Sequence, residues 1–146
     1  ILDHLDERAG PDKALLPAYG DQRRSALKLL ALTTGVVDKG IQAVYERVFR
    51  PEEKRHQPWV DRGNGQMHGA LRELEMLAAE TRTPWLCGRR MMQPDITLAC
   101  VLTYLSEAAS LDLGNYPSLR ERVTRCEALP VFRELHAPFF TPQPKS

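Results

Sequence analysis

The sequence predicts an all-α protein. Apolar residues recur at intervals of three and four along most of the chain, which is the spacing of one helix face. Prolines stand where further helices would begin, at Pro94, Pro117 and Pro130, because the first turn of a helix has no use for their missing N–H. No convincing strand pair, internal repeat or low-complexity segment interrupts this pattern. We therefore expect a bundle of about five to six helices.

The bulk composition narrows the classes of function. The chain has 146 residues, which suits one domain with a sizeable core. Its 20 basic and 19 acidic residues leave a net charge of +1, so nucleic acid is not an expected partner. No apolar run approaches the length of a membrane span, and the first residues carry acids where a signal sequence would be basic and then apolar. These features predict a soluble, cytoplasmic protein without a membrane segment.

Cysteine and histidine usage argues against metal binding. The three cysteines are widely spaced, odd in number and without a CxxC pair, so neither a disulfide framework nor a zinc site is indicated. We expect them to be reduced and mostly buried. The histidines are too scattered for a metal site and are expected to be mostly exposed. The residues concerned are Cys87, Cys100 and Cys126, with His4, His56, His68 and His136.

The first nine residues have helical spacing, and Gly10-Pro11 ends the pattern as a glycine cap followed by a helix breaker would. Because the chain starts at Ile1, without methionine and within this pattern, we expect an upstream part of the protein. Residues 10–20 are rich in proline, glycine and polar residues around Leu15-Leu16-Pro17, which is typical of a connector.

A long helix follows, with Asp21 as its predicted cap. Its apolar spacing continues to Arg50-Pro51, for roughly 28 residues or about 42 Å. Gly35 and Gly40 lie inside it, and each costs about 1 kcal/mol relative to alanine. They indicate either close approach of another helix or a ligand, or sequence drift that the helix tolerates.

The next helix is predicted to begin near Trp59 and to be kinked or frayed at Gly63-Asn64-Gly65. That tripeptide is a turn signal by its local chemistry, whereas the flanking apolar spacing favours a single helix. We expect Trp59 and Trp85 to act as packing anchors.

Three further helices are predicted. The segment from Pro94 to about Ser110 is apolar on nearly all sides, which is typical of a buried central helix. The segment from Pro117 to about Cys126 should place Leu119 and Val123 inward and its arginines, Arg120, Arg122 and Arg125, outward. A short helix should run from Pro130 through Leu135, and the apolar tail beyond it should need cover.

Several motifs in this order resemble the C-terminal domain of the glutathione transferases. The stretch Pro84 to Leu102, with Pro84-Trp85-Leu86-Cys87-Gly88 before Gln93-Pro94-Asp95, is similar to the centre of that domain. Tyr116-Pro117-Ser118-Leu119 and Leu129-Pro130-Val131-Phe132 match the closing helices of the family. The nearest match is a bacterial branch of transferase-like proteins.

The resemblance implies a domain organisation. Residues 1–9 look like the last helix of the thioredoxin-like N-terminal domain of the family, most of which lies outside this chain. Residues 10–20 would be the linker between the domains, and residues 21–146 the helical domain.

Two residues depart from the family pattern at the start of the central helix. The family usually has Ser or Thr three residues before the acid that matches Asp95, which forms a capping box, and this chain has Met92 there. Arg89 also stands where the family commonly has Asp. We expect Asp95 to stabilise the helix start all the same.

The resemblance implies glutathione as co-substrate. In the family, the catalytic residue and most glutathione contacts belong to the N-terminal domain, so this chain is expected to hold no catalytic residue and to be inactive alone. The catalytic residue keeps glutathione as a thiolate that attacks small electrophiles. The helical domain forms the opposite wall of the pocket and the interface of a homodimer.

One glutathione contact is implied for this chain. Thr34-Gly35-Val36-Val37-Asp38 aligns with a family segment whose final Asp reaches across the dimer to the α-amino group of glutathione. Asp38 keeps that acid, whereas Thr34 replaces an earlier one. The alternative is that Asp38 pairs with a basic side chain such as Arg24 or Arg47 in the dimer contact.

A set of apolar positions is implied as the wall of the electrophile pocket. Each of them could instead be an ordinary core or interface residue, and Tyr45 is the best candidate because its hydroxyl could touch thiolate or substrate while its ring packs. The set is Ile41, Val44, Tyr45, Val48, Phe139 and Phe140.

Two alternatives to a transferase remain. A transferase-like module could use the same fold for binding or dimerisation without appreciable turnover, and the departures at Thr34 and Met92 favour this reading. A free-standing helical bundle of unrelated function would require a start codon just before Ile1.

Overall fold

The regular secondary structure of the described residues is helical. A computed structural model describes residues 1–140, and within them lie six α-helices and two short 3-10 turns but no strand beyond an isolated bridge between Trp85 and Gly88. No helix in this range combines the length and apolarity needed to cross a membrane. The predicted all-α class is confirmed. The helices are α1 (Leu2–Ala9), α2 (Gly20–Phe49), α3 (Gln57–Glu80), α4 (Gln93–Ala109), α5 (Pro117–Glu127) and α6 (Pro130–Leu135).

The core lies where α4 meets its neighbours. Helix α2 packs against both α3 and α4, and α5 packs against α3 and α4. Helix α4 is buried over most of its surface, as its apolar sequence predicts, because it has neighbours on several sides. The largest fully buried side chains are leucines of α3, α4 and α5: Leu71, Leu74, Leu98, Leu102, Leu105 and Leu119.

The predicted cap of α2 is wrong. The helix begins at Gly20, after an extended Tyr19, and the Asp21 side chain makes no capping bond. Asp21 instead lies in the first turn and pairs with Arg24, one turn further along. An acid in that position still interacts favourably with the positive end of the helix dipole.

Helix α3 begins at Gln57 and runs through Gly63-Asn64-Gly65 without interruption. Gly63 is buried against α2, where an added Cβ would lie 3.5 Å from the carbonyl oxygen of Lys39. Tertiary packing therefore holds this segment helical against its turn propensity.

The two tryptophans differ in burial. Trp59 is 48% exposed, so its predicted role as a packing anchor is wrong. Trp85 is half-buried, with the guanidinium of Arg125 stacked 5.9 Å from its ring centroid.

Arg122 is buried, in contrast to its predicted outward position. Its guanidinium donates to the carbonyl oxygens of Ala78 at 3.1 Å, Thr81 at 3.2 Å and Pro84 at 3.2 Å. The carbonyl oxygen of Ala78 also accepts the N–H of Thr81, and that of Pro84 also accepts from Arg125. Arg122 therefore adds hydrogen bonds from a charged donor that tie the end of α3 to α5. Burial lowers the pKa of Arg122, and nearby Asp95 opposes that shift.

Asp95 organises the start of α4. One carboxylate oxygen accepts the N–H of Leu86 at 2.8 Å and the other accepts the N–H of Met92 at 3.0 Å. Burial raises the pKa of Asp95, while these two bonds oppose the shift. The carboxylate thus ties the loop before α4 to the first turn of the helix.

Candidate functional site

An open cavity of about 840 Å³ lies between α2, α4, α6 and the segment that follows α6. Its wall is mostly apolar, and a cavity of this size and character is typical of small-molecule sites. The aromatic residues of the wall are Tyr45, Phe49, Phe132, Tyr104, Phe139 and Phe140.

Helix α2 supplies one side of the cavity through its last two turns. Val44 is buried, Val48 is partly buried and Tyr45 is exposed toward the open space. The rings of Tyr45 and Phe49 meet edge to face, with centroids 5.5 Å apart, because residues four apart share a helix face.

Five of the six residues predicted as a pocket wall line this cavity, namely Val44, Tyr45, Val48, Phe139 and Phe140. Ile41 does not, although it lies one turn before Tyr45 on α2. Whether these residues contact a substrate stays a prediction.

Helix α4 supplies side chains that sequence reasoning missed. Cys100, Thr103, Tyr104 and Glu107 line the cavity and occur at the spacing of a single helix face. Thr103, Tyr104 and Glu107 place polar and aromatic side chains on one face of the second half of a mostly apolar helix. That pattern is the sequence signal that could have identified them.

The segment after α6 closes one end of the cavity. The N–H of Phe139 donates to Glu107 Oε2 at 2.8 Å, and His136 Nε2 lies 3.4 Å from Glu107 Oε1. The Phe139 ring meets Tyr104 edge to face, with centroids 5.6 Å apart. Helix α4 therefore covers Phe139, whereas Phe140 stays 79% exposed, so the expected cover of the tail is met only in part.

Asp38 lies outside the cavity, on an exposed part of α2. Neither basic partner considered for it pairs with it within the chain: Arg24 pairs with Asp21, and Arg47 donates to the carbonyl oxygen of Ala108. Asp38 and Tyr45 are seven residues apart, so they share a helix face with about 10 Å between them along the axis.

The cavity wall holds no activated nucleophile among the residues described. Cys100 is exposed, so the expectation of mostly buried cysteines holds only for Cys126, with Cys87 partly buried. Partial desolvation by neighbouring side chains nevertheless raises the pKa of Cys100, which disfavours the thiolate that a nucleophile needs. Burial also raises the pKa of Tyr104, and nearby Tyr45 adds to that shift.

Metal binding has no support in the described part of the chain. No group of three His, Cys, Asp or Glu side chains within residues 1–140 could hold a metal ion. His4, His56 and His136 are exposed, whereas His68 is partly buried and its ring hydrogen-bonds the Tyr116 hydroxyl at 2.8 Å.

Solved structures of similar shape come from bacteria. A glutathione S-transferase from Methylobacterium radiotolerans, in complex with glutathione sulfonate, is 29% identical with a TM-score of 0.82, over 97% of this chain and 68% of that chain. A glutathione transferase family member from Pseudomonas fluorescens Pf-5, with bound S-(propanoic acid)-glutathione, is 27% identical with a TM-score of 0.81, over 94% of this chain and 68% of that chain.

A third similar structure shows the fold alone. It is a glutathione S-transferase from Methylobacillus flagellatus KT with GSH bound, 24% identical with a TM-score of 0.80, over 90% of this chain and 64% of that chain. The chain thus spans about two thirds of the length of these structures. No protein of curated function matches it in sequence.

The family model described as the glutathione S-transferase C-terminal domain matches residues 57–135. That match covers more than half of the 146 residues, and it includes α3 to α6. The chain therefore belongs to the glutathione S-transferase family, as its all-helical C-terminal domain.

Proposed function

We propose that this chain is the helical domain of a dimeric, cytoplasmic glutathione transferase that conjugates or reduces small electrophiles. The observation that carries the proposal is the cavity of about 840 Å³, with its aromatic wall, on α2 and α4. Transfer of an apolar electrophile from water to this wall would lower its free energy. A thioredoxin-like N-terminal domain would supply the nucleophile and most glutathione contacts.

Glutathione as co-substrate is supported by the similar structures. The Methylobacterium and Pseudomonas proteins bind glutathione sulfonate and S-(propanoic acid)-glutathione. In this chain we assign one contact, from Asp38 to the glutathione α-amino group across the dimer, since a carboxylate and an ammonium form a charge-assisted hydrogen bond. Asp38 is exposed, so its carboxylate is accessible to a glutathione molecule bound by the partner subunit.

The proposed domain organisation is supported by the contacts of residues 1–20. Asp6 of α1 accepts the N–H groups of Leu15 and Leu16, both at 2.8 Å. The carbonyl oxygen of Leu15 accepts the N–H of Gln93, at the start of α4, at 2.9 Å. These bonds fasten α1 to the bundle, which suits a helix that would end the N-terminal domain and a linker that docks on the helical one.

A scaffold without appreciable turnover is the second candidate. The hydroxyl of Thr34 donates to the carbonyl oxygens of Leu30, at 2.9 Å, and Ala31, at 3.1 Å, within its own helix. Thr34 has a hydroxyl where the family has a carboxylate, and that hydroxyl is already bonded within α2. Weak glutathione binding would follow, which favours dimerisation or protein binding as the role of the fold.

A conjugation assay on the full-length protein separates the two candidates. The transferase predicts turnover of 1-chloro-2,4-dinitrobenzene well above the uncatalysed rate, together with glutathione binding by calorimetry. The isolated 146-residue chain, as the control, should show no turnover. Glutathione binding without turnover would support the scaffold, and absence of both would contradict the transferase.

A further inference from the structure

The segment after α6 is held by one carboxylate. We name residues 136–140 the C-terminal strap. Both oxygens of Glu107 face it, because Oε2 accepts the Phe139 N–H at 2.8 Å and Oε1 lies 3.4 Å from His136 Nε2. The strap has no helical hydrogen bonds of its own, since α6 ends at Leu135. Glu107 is therefore its main polar attachment to α4.

Helix α4 also contacts the aromatic ring of the strap, that of Phe139. Tyr104 lies one turn before Glu107, and its ring meets the Phe139 ring at an interplanar angle of 82°. Because Glu107 holds the backbone of Phe139, it also positions the Phe139 ring against Tyr104 in the cavity wall. Tyr45 and Phe49 form a second edge-to-face pair in the wall of the same cavity.

We propose that Glu107 is a specificity-determining residue, which positions the C-terminal strap so that the cavity selects neutral, planar molecules with several rings. The inference rests on the proposed function, in that it names the class of electrophile for the same cavity. A cavity of about 150 Å³ is enough for a single benzene ring. This cavity, at about 840 Å³, has room for several fused or linked rings, and both aromatic pairs belong to its wall.

The charges of the wall disfavour an anionic ligand. Glu107 and Glu127 both line the cavity, and Glu127 accepts a hydrogen bond from the Thr103 hydroxyl at 2.7 Å. Arg133, the arginine of the wall, donates to the carbonyl oxygen of Glu127. His136 faces Glu107 at 3.4 Å. Arg133 keeps its positive charge in its bond to Glu127, so the wall holds one more carboxylate than guanidinium. An anion would therefore meet a modest excess of negative charge at these solvent-exposed side chains.

Two fluorescent probes of nearly the same shape test both parts of the proposal. N-phenyl-1-naphthylamine is neutral, and 8-anilinonaphthalene-1-sulfonate is its sulfonated counterpart. Their dissociation constants are measured with the full-length protein in the absence of glutathione. We expect the neutral probe to bind at least about tenfold more tightly, which corresponds to about one unfavourable charge contact.

Variants of Glu107 separate positioning from charge. Glu107→Ala removes both attachments of the strap and should weaken the neutral probe about tenfold. Glu107→Gln keeps an amide oxygen that accepts the Phe139 N–H, so its affinity for the neutral probe should be close to that of the wild type. Because the variant lacks the negative charge, the difference in affinity between the neutral probe and the sulfonate should become smaller. Glu134→Ala, on an exposed site of α6, is the matched control and should change neither constant.

Three results would overturn the inference: tighter binding of the sulfonate, unchanged neutral-probe affinity in Glu107→Ala, or no restoration by Glu107→Gln. If circular dichroism shows that Glu107→Ala is unfolded, Phe139→Leu replaces it, with the same loss expected and unchanged affinity as the contrary result. The probe measurements contain no glutathione, so they do not depend on conjugating activity. If probe binding depends on Glu107 but the full-length protein does not conjugate, the proposed function is contradicted and the inference about Glu107 stands.

Discussion

A Cβ atom on Gly40 would lie 2.6 Å from Cδ2 of Leu105, so α2 and α4 touch at a point that has no room for a side chain. The sulfur of Met67, from α3, would lie 3.0 Å from that added Cβ atom. Leu105 is fully buried, so its methyl group cannot move aside without displacing other core residues. The glycine therefore sets the distance between three helices.

Replacement of Gly40 by alanine should destabilise the protein, although alanine is the better helix former. Overpacking costs about 1 to 3 kcal/mol, and a contact as short as 2.6 Å favours the upper part of that range, above the gain of about 1 kcal/mol in helix propensity. Urea unfolding measures the difference. Gly35→Ala is the matched control, because a Cβ there meets nothing within 4 Å, and it should stabilise the protein. A Gly40→Ala variant as stable as Gly35→Ala would contradict the close approach.

Replacement of Arg122 by alanine should lower the free energy of unfolding by about 3 kcal/mol, because the hydrogen bonds from a buried charged donor to the end of α3 and the loop after it would be lost. Arg120→Ala, on the exposed face of the same helix, should change it by less than about 0.5 kcal/mol. Thermal or urea unfolding of both variants measures this contrast. Similar stabilities for the two would show that Arg122 does not hold the end of α3.

The cysteines should react with iodoacetamide in the order Cys100, Cys87, Cys126. Burial, with a contribution from Asp95, raises the pKa of Cys87 to about 11 and that of Cys126 to about 12. Only the thiolate reacts, and at pH 8 it would be on the order of one part in a thousand at Cys87 and less at Cys126. Cys100 is exposed and reacts first.

As the pH is raised toward 11, the rate of labelling of Cys87 should increase about tenfold per pH unit, since the thiolate fraction rises in that proportion. Mass spectrometry of peptides from the native protein follows each site. Cys100→Ser should remove the fast phase alone. Labelling of Cys126 as fast as Cys100 in the folded protein would contradict the burial of α5 against α4.

Replacement of Asp38 by alanine in the full-length protein should weaken glutathione binding about tenfold, the value of one hydrogen bond between charged groups. Isothermal calorimetry measures the affinity. Asp21→Ala, an exposed acid at the far end of α2, serves as the control and should leave it unchanged. Equal affinities for wild type and Asp38→Ala would show that this carboxylate does not contact glutathione.

The helices were predictable because each depends on a local pattern. The apolar spacing from Leu27 to Val48 and the prolines at Pro94, Pro117 and Pro130 indicated their extents to within a few residues. The exceptions arise where a distant residue decides the outcome. Gly63 stays helical because α2 packs on it, and no local rule for Gly-Asn-Gly contains that contact.

The site was less predictable for the same reason. The valines and Tyr45 of α2 followed from the family resemblance, but Glu107 and Tyr104 line the cavity only because the C-terminal strap folds back over α4. Arg122 shows the same effect in reverse. Its helix face is polar in sequence, and it is buried because the carbonyl oxygens that end α3 lie beside it.

Steady-state kinetics of a cavity-filling variant tests most directly whether the cavity is the electrophile site. With glutathione saturating and 1-chloro-2,4-dinitrobenzene varied, Val48→Trp in the full-length protein should raise KM for the electrophile about tenfold. KM for glutathione should stay the same. Val131→Trp, at an exposed position of α6 outside the cavity, should leave both values unchanged. An unchanged electrophile KM in Val48→Trp would contradict the assignment.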